Sequence, residues 1–231
     1  MSAVSRIQCE AVCVKSGING CCRICGYNTA TKTCFLSFDH EDDLIVHSDD
    51  TRMVLIPDRT VYEDAEYLVN GDNPVSDAQI SASSVWDNDP GHGSKGARLY
   101  STPSLTTVGA WAAGYSNANQ YIQVQFNGLS HVMGVAIQGR PVNTDASFEY
   151  LGCCSQRVTS YKLIYSYDCA YFLTIKDCNG SDRIFVGNTD QNTVVTTMLP
   201  TPVAALCVKI NPVTWFEHIS MRFDILGRSI N

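Results

Sequence analysis

The chain has 231 residues, of which 45% are hydrophobic and only 17% are charged, a composition typical of a packed globular protein rather than a disordered one. Its formal net charge of −7 argues against nucleic acid as a partner, because a basic surface supplies most of the affinity for phosphates. The same charge argues, more weakly, against anionic membranes, which attract clusters of Lys and Arg. No apolar run approaches the roughly 18 residues of a membrane-spanning helix.

Cysteine content indicates an oxidising, extracellular compartment. Eleven cysteines are many for this length, and their spread favours disulfides over metal sites. The sequence Asn179-Gly180-Ser181 is a glycosylation sequon in a predicted turn, a weak signal that fits secretion. The first ten residues lack the apolar segment of a signal peptide, so we interpret Met1 as an added initiator or as the start of a fragment.

The N-terminal part is predicted to be a small disulfide-rich module. Cys9 and Cys13 are four residues apart and would share one face of a helix over residues 5–15. Cys22 and Cys34 enclose a predicted hairpin that turns near residues 28–31. Further strands are predicted at residues 35–38, 44–46 and 53–56, followed by a linker at 57–73.

This order of elements resembles a PAN/apple module. A helix with C-x3-C, a hairpin with cysteines twelve apart and a following strand carry the resemblance. It implies the disulfides Cys9–Cys34 and Cys13–Cys22, each contributing about 2–4 kcal/mol to so small a core. It also implies an α+β domain over residues 1–66 that supplies protein contacts.

From residue 77 onwards, short runs of alternating apolar and polar residues predict an all-β domain. Cys169 and Cys178 flank residues that read as adjacent hairpin strands, which predicts a disulfide between them. Cys207 faces the core in its run and is predicted to be a buried free thiol.

The C-terminal segment predicts three strands, at residues 193–198, 204–210 and 218–226. Pro200 and Pro202 are expected to separate the first two, and Asn211-Pro212 to turn the chain before the third. Alternation in the last run places four apolar side chains on one face: Ile219, Met221, Phe223 and Ile225. Trp111 is assigned to the core, and Trp215 is predicted to close one end of the barrel.

Four ordered blocks, at residues 78–86, 119–140, 157–168 and 188–227, closely resemble the discoidin domain, the factor V/VIII type C module. The resemblance covers roughly residues 70–231. It implies a mainly β protein whose domain at 67–231 is a jelly-roll β-barrel or sandwich. It also implies that ligands bind loops at one end, here residues 85–95, 110–119 and 138–156.

The resemblance implies three ligand classes, and the loop chemistry favours one of them. Members that bind phosphatidylserine insert apolar loop tips, but the first loop here is Asp-Asn-Asp-Pro-Gly, and its carboxylates are costly to bring to an anionic bilayer. The apolar candidates in the third loop lie beside Asp145 and Glu149: Phe148, Tyr150 and Leu151. Members that clamp a C-terminal arginine use an aspartate where Ser116 stands.

Discoidin-type lectins hold galactose or N-acetylgalactosamine with carboxylate, amide and guanidinium groups and an aromatic face. The loops offer ten candidate residues: Trp86, Asp87, Asn88, Asp89, His92, Tyr115, Asn117, Arg140, Asn143 and Asp145. Competing interpretations make Trp86 a core residue, Arg140 part of a structural salt bridge, and Asp87–Asp89 only a turn.

No catalytic constellation stands out, and no cofactor is expected. Asp87-Asn88-Asp89 resembles the start of a calcium loop without its closing acidic residue, so structural calcium is not indicated. We therefore expect a secreted, non-enzymatic protein that binds glycans and forms oligomers to gain avidity. The alternatives are a phosphatidylserine-binding module and an adhesion or matrix protein that binds other proteins.

Overall fold

The computed structural model describes residues 24–28, 33–37, 44–49, 52–55, 65–142, 154–177 and 180–230. The chain divides into two compact units. One comprises Met1–Asp64 with Asp177–Gly180, and the other comprises Ala65–Lys176 with Ser181–Asn231.

The first unit contains a four-stranded antiparallel sheet in the order β1-β2-β3-β4. Its strands are β1 (Ile24–Asn28), β2 (Thr33–Ser37), β3 (Leu44–Asp49) and β4 (Arg52–Leu55). The pairing of β1 with β2 agrees with the predicted hairpin, and β3 and β4 lie where the later strands were expected. The helix expected at residues 5–15 lies outside the described residues, as do the side chains of the two implied disulfides.

The second unit is built from nine strands and four short 3-10 helices in its described part. The strands are β5 (Glu66–Tyr67), β6 (Ile80–Ala82), β7 (Trp111–Ala112), β8 (Ile122–Gln138), β9 (Arg157–Ser166), β10 (Leu173–Thr174), β11 (Phe185–Val186), β12 (Val195–Phe216) and β13 (Ser220–Ser229). The helices are Asp77–Gln79, Trp86–Asn88, Pro90–His92 and Ser94–Ala97. No helix among the described residues is long and apolar enough to cross a membrane.

Two long strands join the two layers of the β-sandwich. The beginning of β8 pairs with the end of β12 and with β6, whereas the end of β8 pairs with the beginning of β12 and with β13. The register of β12 against β8 shifts between Met198 and Val203 and again between Ala205 and Cys207. Such bulges bend a strand and let it continue from one layer to the other.

The predicted breaks in the C-terminal segment were wrong, because β12 runs without interruption from Val195 to Phe216. Pro200 and Pro202 lie in the first register shift, where no ladder hydrogen bond is required of their nitrogens. Pro212 pairs with Tyr161 of β9 just before another shift. The prolines therefore lie at or beside register shifts within one strand and do not divide it into two.

The core lies on the inner face of β13, as the alternating pattern predicted. Ile219, Met221, Phe223 and Ile225 are all at most 1% exposed. Trp111 is fully buried, and its indole Nε1 donates to the Ser84 carbonyl oxygen at 2.9 Å. Trp215, by contrast, is only partly buried and packs against this core.

The opposite face of β13 is buried too, and it carries charges. Arg222 donates to the carbonyl oxygens of Gly139 at 2.8 Å, Ser101 at 2.9 Å and Gln191 at 2.8 Å. Burial lowers the pKa of Arg222 to about 10. This one side chain thus ties together three loops and fixes the chain immediately before residue 140.

The expected disulfide between Cys169 and Cys178 was wrong, and so was the free thiol at Cys207. Cys169 is bonded to Cys207, with their Cα atoms 5.2 Å apart. Cys207 lies opposite Ser166 in the pairing of β12 with β9, and the turn after Ser166 brings Cys169 back over it. Asp168 holds this turn, since its Oδ1 accepts hydrogen bonds from two backbone nitrogens, those of Ala170 and Tyr171, each at 2.9 Å.

Candidate functional site

A pocket of about 290 Å³ lies among the loops at one end of the sandwich. The first loop, β7, the segment after β8, the segment before β9 and the turn between β12 and β13 all contribute to it. Its described lining residues are Trp86, His92, Ala112, Arg140, Cys154, Gln156 and His218.

Trp86 is presented to solvent by an unusual backbone turn. Asp87 and Asn88 follow it with φ angles of 51° and 54°, in the left-handed region that Asp and Asn tolerate better than most residues. Trp86 is 48% exposed, so it is not the core residue that one interpretation made it. The side chains of Asp87 and Asn88 are exposed and make no hydrogen bond within the described residues, which leaves both free at the edge of the first loop.

His218 fixes the orientation of the Trp86 ring. The two rings meet edge to face, with centroids 4.9 Å apart and an interplanar angle of 85°. Nε2 of His218 lies 2.7 Å from the Ala113 carbonyl oxygen, which can only accept, so Nε2 carries a hydrogen. Nδ1 lies 2.8 Å from the Ser116 hydroxyl, which donates to it when the ring is neutral.

Arg140 places a charge in the wall of the pocket. The residue is only 8% exposed, and its Nη1 donates to the Gln156 side-chain oxygen at 3.1 Å. Burial lowers the pKa of its guanidinium. No carboxylate of the described residues lies within ion-pair distance, so the structural salt bridge considered from the sequence is not found there.

Asp89 uses its carboxylate to build the first loop. Its Oδ1 accepts from the Gly91 backbone nitrogen at 2.9 Å, and its Oδ2 accepts from Nδ1 of His92 at 3.1 Å. The backbone hydrogen bond from Gly91 lowers the pKa of Asp89. Burial lowers the pKa of His92, and the bond to Asp89 opposes this effect. His92 is therefore held in the pocket wall by a carboxylate that is not part of the described lining.

The second loop contributes less than the sequence suggested. Tyr115 is 68% exposed but is not part of the described lining. The side-chain oxygen of Asn117 accepts from the Asn119 nitrogen and from the Gln120 side chain, both at 3.0 Å, so it stabilises its own turn. Two candidates of the third loop, Asn143 and Asp145, lie outside the described residues, as do Phe148, Tyr150 and Leu151.

The structure thus brings Trp86, His92 and Arg140 to one pocket, with Asp87 and Asn88 beside it. Two participants were missed as candidates, Gln156 and His218. His218 has no recognisable motif, because its role depends on Ala113, 105 positions away. In the part of the chain that the structure describes, no group of three or more His, Cys, Asp or Glu side chains is arranged to hold a metal ion.

A β-sandwich whose end loops surround a pocket with an aromatic wall and a buried arginine defines the chain as a discoidin-type domain. Residues 79–225 match the F5/8 type C domain, and the chain belongs to this family. The match begins at residue 79, so the PAN/apple-like nature of the first unit remains a prediction.

Relatives of known identity support this assignment. The chain is 34% identical to hemocytin of Bombyx mori over 160 residues, which are 69% of this chain and 5% of that protein. It is 34% identical to lactadherin of Mus musculus over 156 residues, covering 66% of this chain and 31% of lactadherin. With a discoidin-1 polypeptide of Dictyostelium discoideum it shares 37% identity over 121 residues, 52% of this chain and 42% of the relative. The chain spans less than half the length of each of these relatives.

The fold also agrees with a solved structure. Wild-type discoidin II from Dictyostelium discoideum superimposes with a TM-score of 0.58 at 25% sequence identity. The superposition covers 74% of this chain and 61% of discoidin II.

Proposed function

We propose that this protein is a secreted, non-enzymatic carbohydrate-binding protein that recognises galactose-type sugars with the end loops of its discoidin domain. The observation that carries the proposal is the pocket in which the half-exposed Trp86 ring adjoins the buried guanidinium of Arg140. A sugar needs an apolar face to stack on and planar polar groups that hydrogen-bond neighbouring hydroxyls. Trp86 supplies the first, and Arg140 and Gln156 supply the second.

Rigid support for these groups favours binding. Trp86 is oriented by His218, and Arg140 by Gln156, so little side-chain freedom remains to be lost when a ligand binds. Asp87 and Asn88 stand beside Trp86 with unused hydrogen-bonding groups that reach a second sugar ring or an acetamido substituent. Because a single shallow site binds weakly, useful avidity requires several copies, and we assign protein contacts or oligomerisation to the first unit.

A glycan array with the purified chain tests this proposal. We expect signals on glycans with terminal galactose or N-acetylgalactosamine, reduced about five- to thirtyfold by Trp86→Ala, because stacking on an aromatic ring contributes on the order of 1–2 kcal/mol. Tyr171→Ala is the matched control, since Tyr171 is an 83% exposed aromatic residue on the turn held by Asp168, outside the pocket lining. Binding unchanged by Trp86→Ala, or no glycan signal, would contradict the proposal.

One observation favours a second candidate, a phospholipid surface. Leu105 is 89% exposed at the tip of the turn that joins Ser104 to Thr107. This turn adjoins the first loop, because Val108 donates its backbone N–H to the Gly91 carbonyl oxygen. Co-sedimentation with phosphatidylserine vesicles that is abolished by Leu105→Asp would support this function, whereas equal recovery without vesicles would exclude it.

A further inference from the structure

The described part of the pocket lining carries a positive charge, the guanidinium of Arg140. Its described lining contains a guanidinium, two imidazoles and an amide, but no carboxylate. The one amide oxygen, Oε1 of Gln156, is already engaged by Nη1 of Arg140. A neutral sugar presents hydroxyl groups that both donate and accept, whereas the one charged group of this lining, the Arg140 guanidinium, can only donate.

The carboxylates of the described loops around the pocket are not directed at Arg140. Asp89 is occupied by Gly91 and His92, and the Glu217 side chain accepts from the Ser155 backbone nitrogen at 2.9 Å. Asp87 is exposed at the loop edge, where water solvates its charge. Arg140 is therefore a largely desolvated cation whose contact with Gln156 is to a neutral group.

Among the residues that the structure describes, Arg140 has no carboxylate within ion-pair distance. Because a buried cation without a counter-ion is costly, an anionic ligand offsets that cost. The guanidinium pairs best with a planar carboxylate, which accepts two parallel hydrogen bonds. From these relations, and on the basis of the carbohydrate-binding function proposed above, we infer that the pocket selects acidic saccharides. Its preferred ligand is a uronic acid of galactose configuration, with the ring on Trp86 and the carboxylate on Arg140.

Three monosaccharide probes that differ only at C6 test the inference: galactose, galacturonate and the methyl ester of galacturonate. Titrations of the full chain at pH 7, followed by calorimetry or by NMR, are expected to give galacturonate at least about a tenfold lower Kd than either neutral sugar. This difference should shrink as salt is added, because the added attraction is between charges.

Substitutions of Arg140, with Arg228 as the control, test whether the Arg140 guanidinium causes the preference for galacturonate. Arg140→Gln should bring galacturonate to the affinity of its methyl ester. Arg228→Gln should change nothing, because Arg228 is an exposed arginine on β13, opposite His131 of β8 and outside the pocket lining. Arg140→Lys retains the charge and should keep part of the preference. Should the Gln variant unfold, the comparison of the three probes on the unmodified chain still decides the matter.

The outcomes separate this inference from the function on which it rests. Equal affinity for galactose and galacturonate would overturn the acidic preference and leave carbohydrate binding intact. If no saccharide bound, on the array or in titration, both the acidic preference and the carbohydrate-binding function would be overturned. Tighter binding of a short peptide with a free C-terminal carboxylate than of galacturonate would assign the pocket to peptide ends and overturn the saccharide assignment.

Discussion

The rings of His218 and Trp86 meet edge to face with 4.9 Å between their centroids, and the imidazole is itself held at both nitrogens. The Ala113 carbonyl and the Ser116 hydroxyl leave the imidazole no freedom to turn. The exposed indole is thereby positioned by a residue that reaches the pocket from the far end of the chain.

Replacing His218 with alanine should therefore impair the site more than the fold. We expect the Kd for the preferred glycan to rise about three- to tenfold, because the freed Trp86 ring must be ordered on binding. Unfolding free energy should fall by about 1–2 kcal/mol from the lost hydrogen bonds. Titration and denaturant unfolding measure both, and His131→Ala, a half-buried histidine on β8, serves as the control.

Arg222 should be among the most sensitive positions for stability. Arg222→Met leaves three carbonyl oxygens without their donor, which should lower the unfolding free energy by about 3–5 kcal/mol. Since one of these oxygens belongs to Gly139, residual folded protein should also bind ligand more weakly. Thermal unfolding of this variant beside the exposed Arg228→Met measures the effect, and equal midpoints would contradict it.

The disulfide between Cys169 and Cys207 should stabilise the second unit. The two residues are 38 positions apart. Closing a loop of that length stabilises the folded state by about 4 kcal/mol, because the crosslink lowers the conformational entropy of the unfolded chain. Cys169→Ala, Cys207→Ala and the double variant should all lose stability to a similar degree, because each removes the same bond. A double variant much less stable than both single variants would be inconsistent with this pairing. Peptide mapping without reduction should recover the linked fragments directly.

The outcome for these cysteines shows what the sequence could and could not predict. Alternation of apolar residues placed β13 and its buried face correctly, because burial follows from local periodicity. The partner of Cys169 was mispredicted because it depends on how β12 pairs with β9, which is a relation between distant segments. The continuity of β12 across Pro200 and Pro202 was missed for the same reason, since bulges are set by the partner strand.

The residues of the candidate site were likewise predictable from the sequence only in part. Trp86, His92 and Arg140 lie in loops that the family resemblance marked, and the structure brings all three to the pocket. The Asn117 side chain has groups that could hydrogen-bond a sugar, but its oxygen accepts hydrogen bonds within its own turn. The residue type alone does not reveal this use. His218 could not be selected, because its hydrogen bonds join positions more than one hundred residues apart.

Asp224 should make stability depend on pH. Its carboxylate is 1% exposed and accepts hydrogen bonds from the backbone nitrogens of Val69 at 2.9 Å, Asn70 at 3.1 Å and Ile225 at 2.8 Å. Burial outweighs these bonds and raises its pKa to about 6, against a value of about 3.9 in the unfolded chain. The folded state therefore binds the proton more tightly than the unfolded state does.

The sign of the effect follows from that difference in pKa. Below about pH 4 both states of Asp224 are protonated, and above about pH 6 the folded state holds an ionised carboxylate at a cost of about 3 kcal/mol. This contribution to stability is thus present at low pH and lost as pH rises through 6. Unfolding free energies of the unmodified chain and of Asp224→Asn, measured by denaturant at pH 4, 5, 6 and 7, should differ by an amount that changes by about 2 kcal/mol across the series. Subtracting one free energy from the other cancels the pH dependence that other carboxylates contribute equally to both proteins. A difference that stays constant with pH would show that Asp224 keeps its ordinary pKa in the folded state.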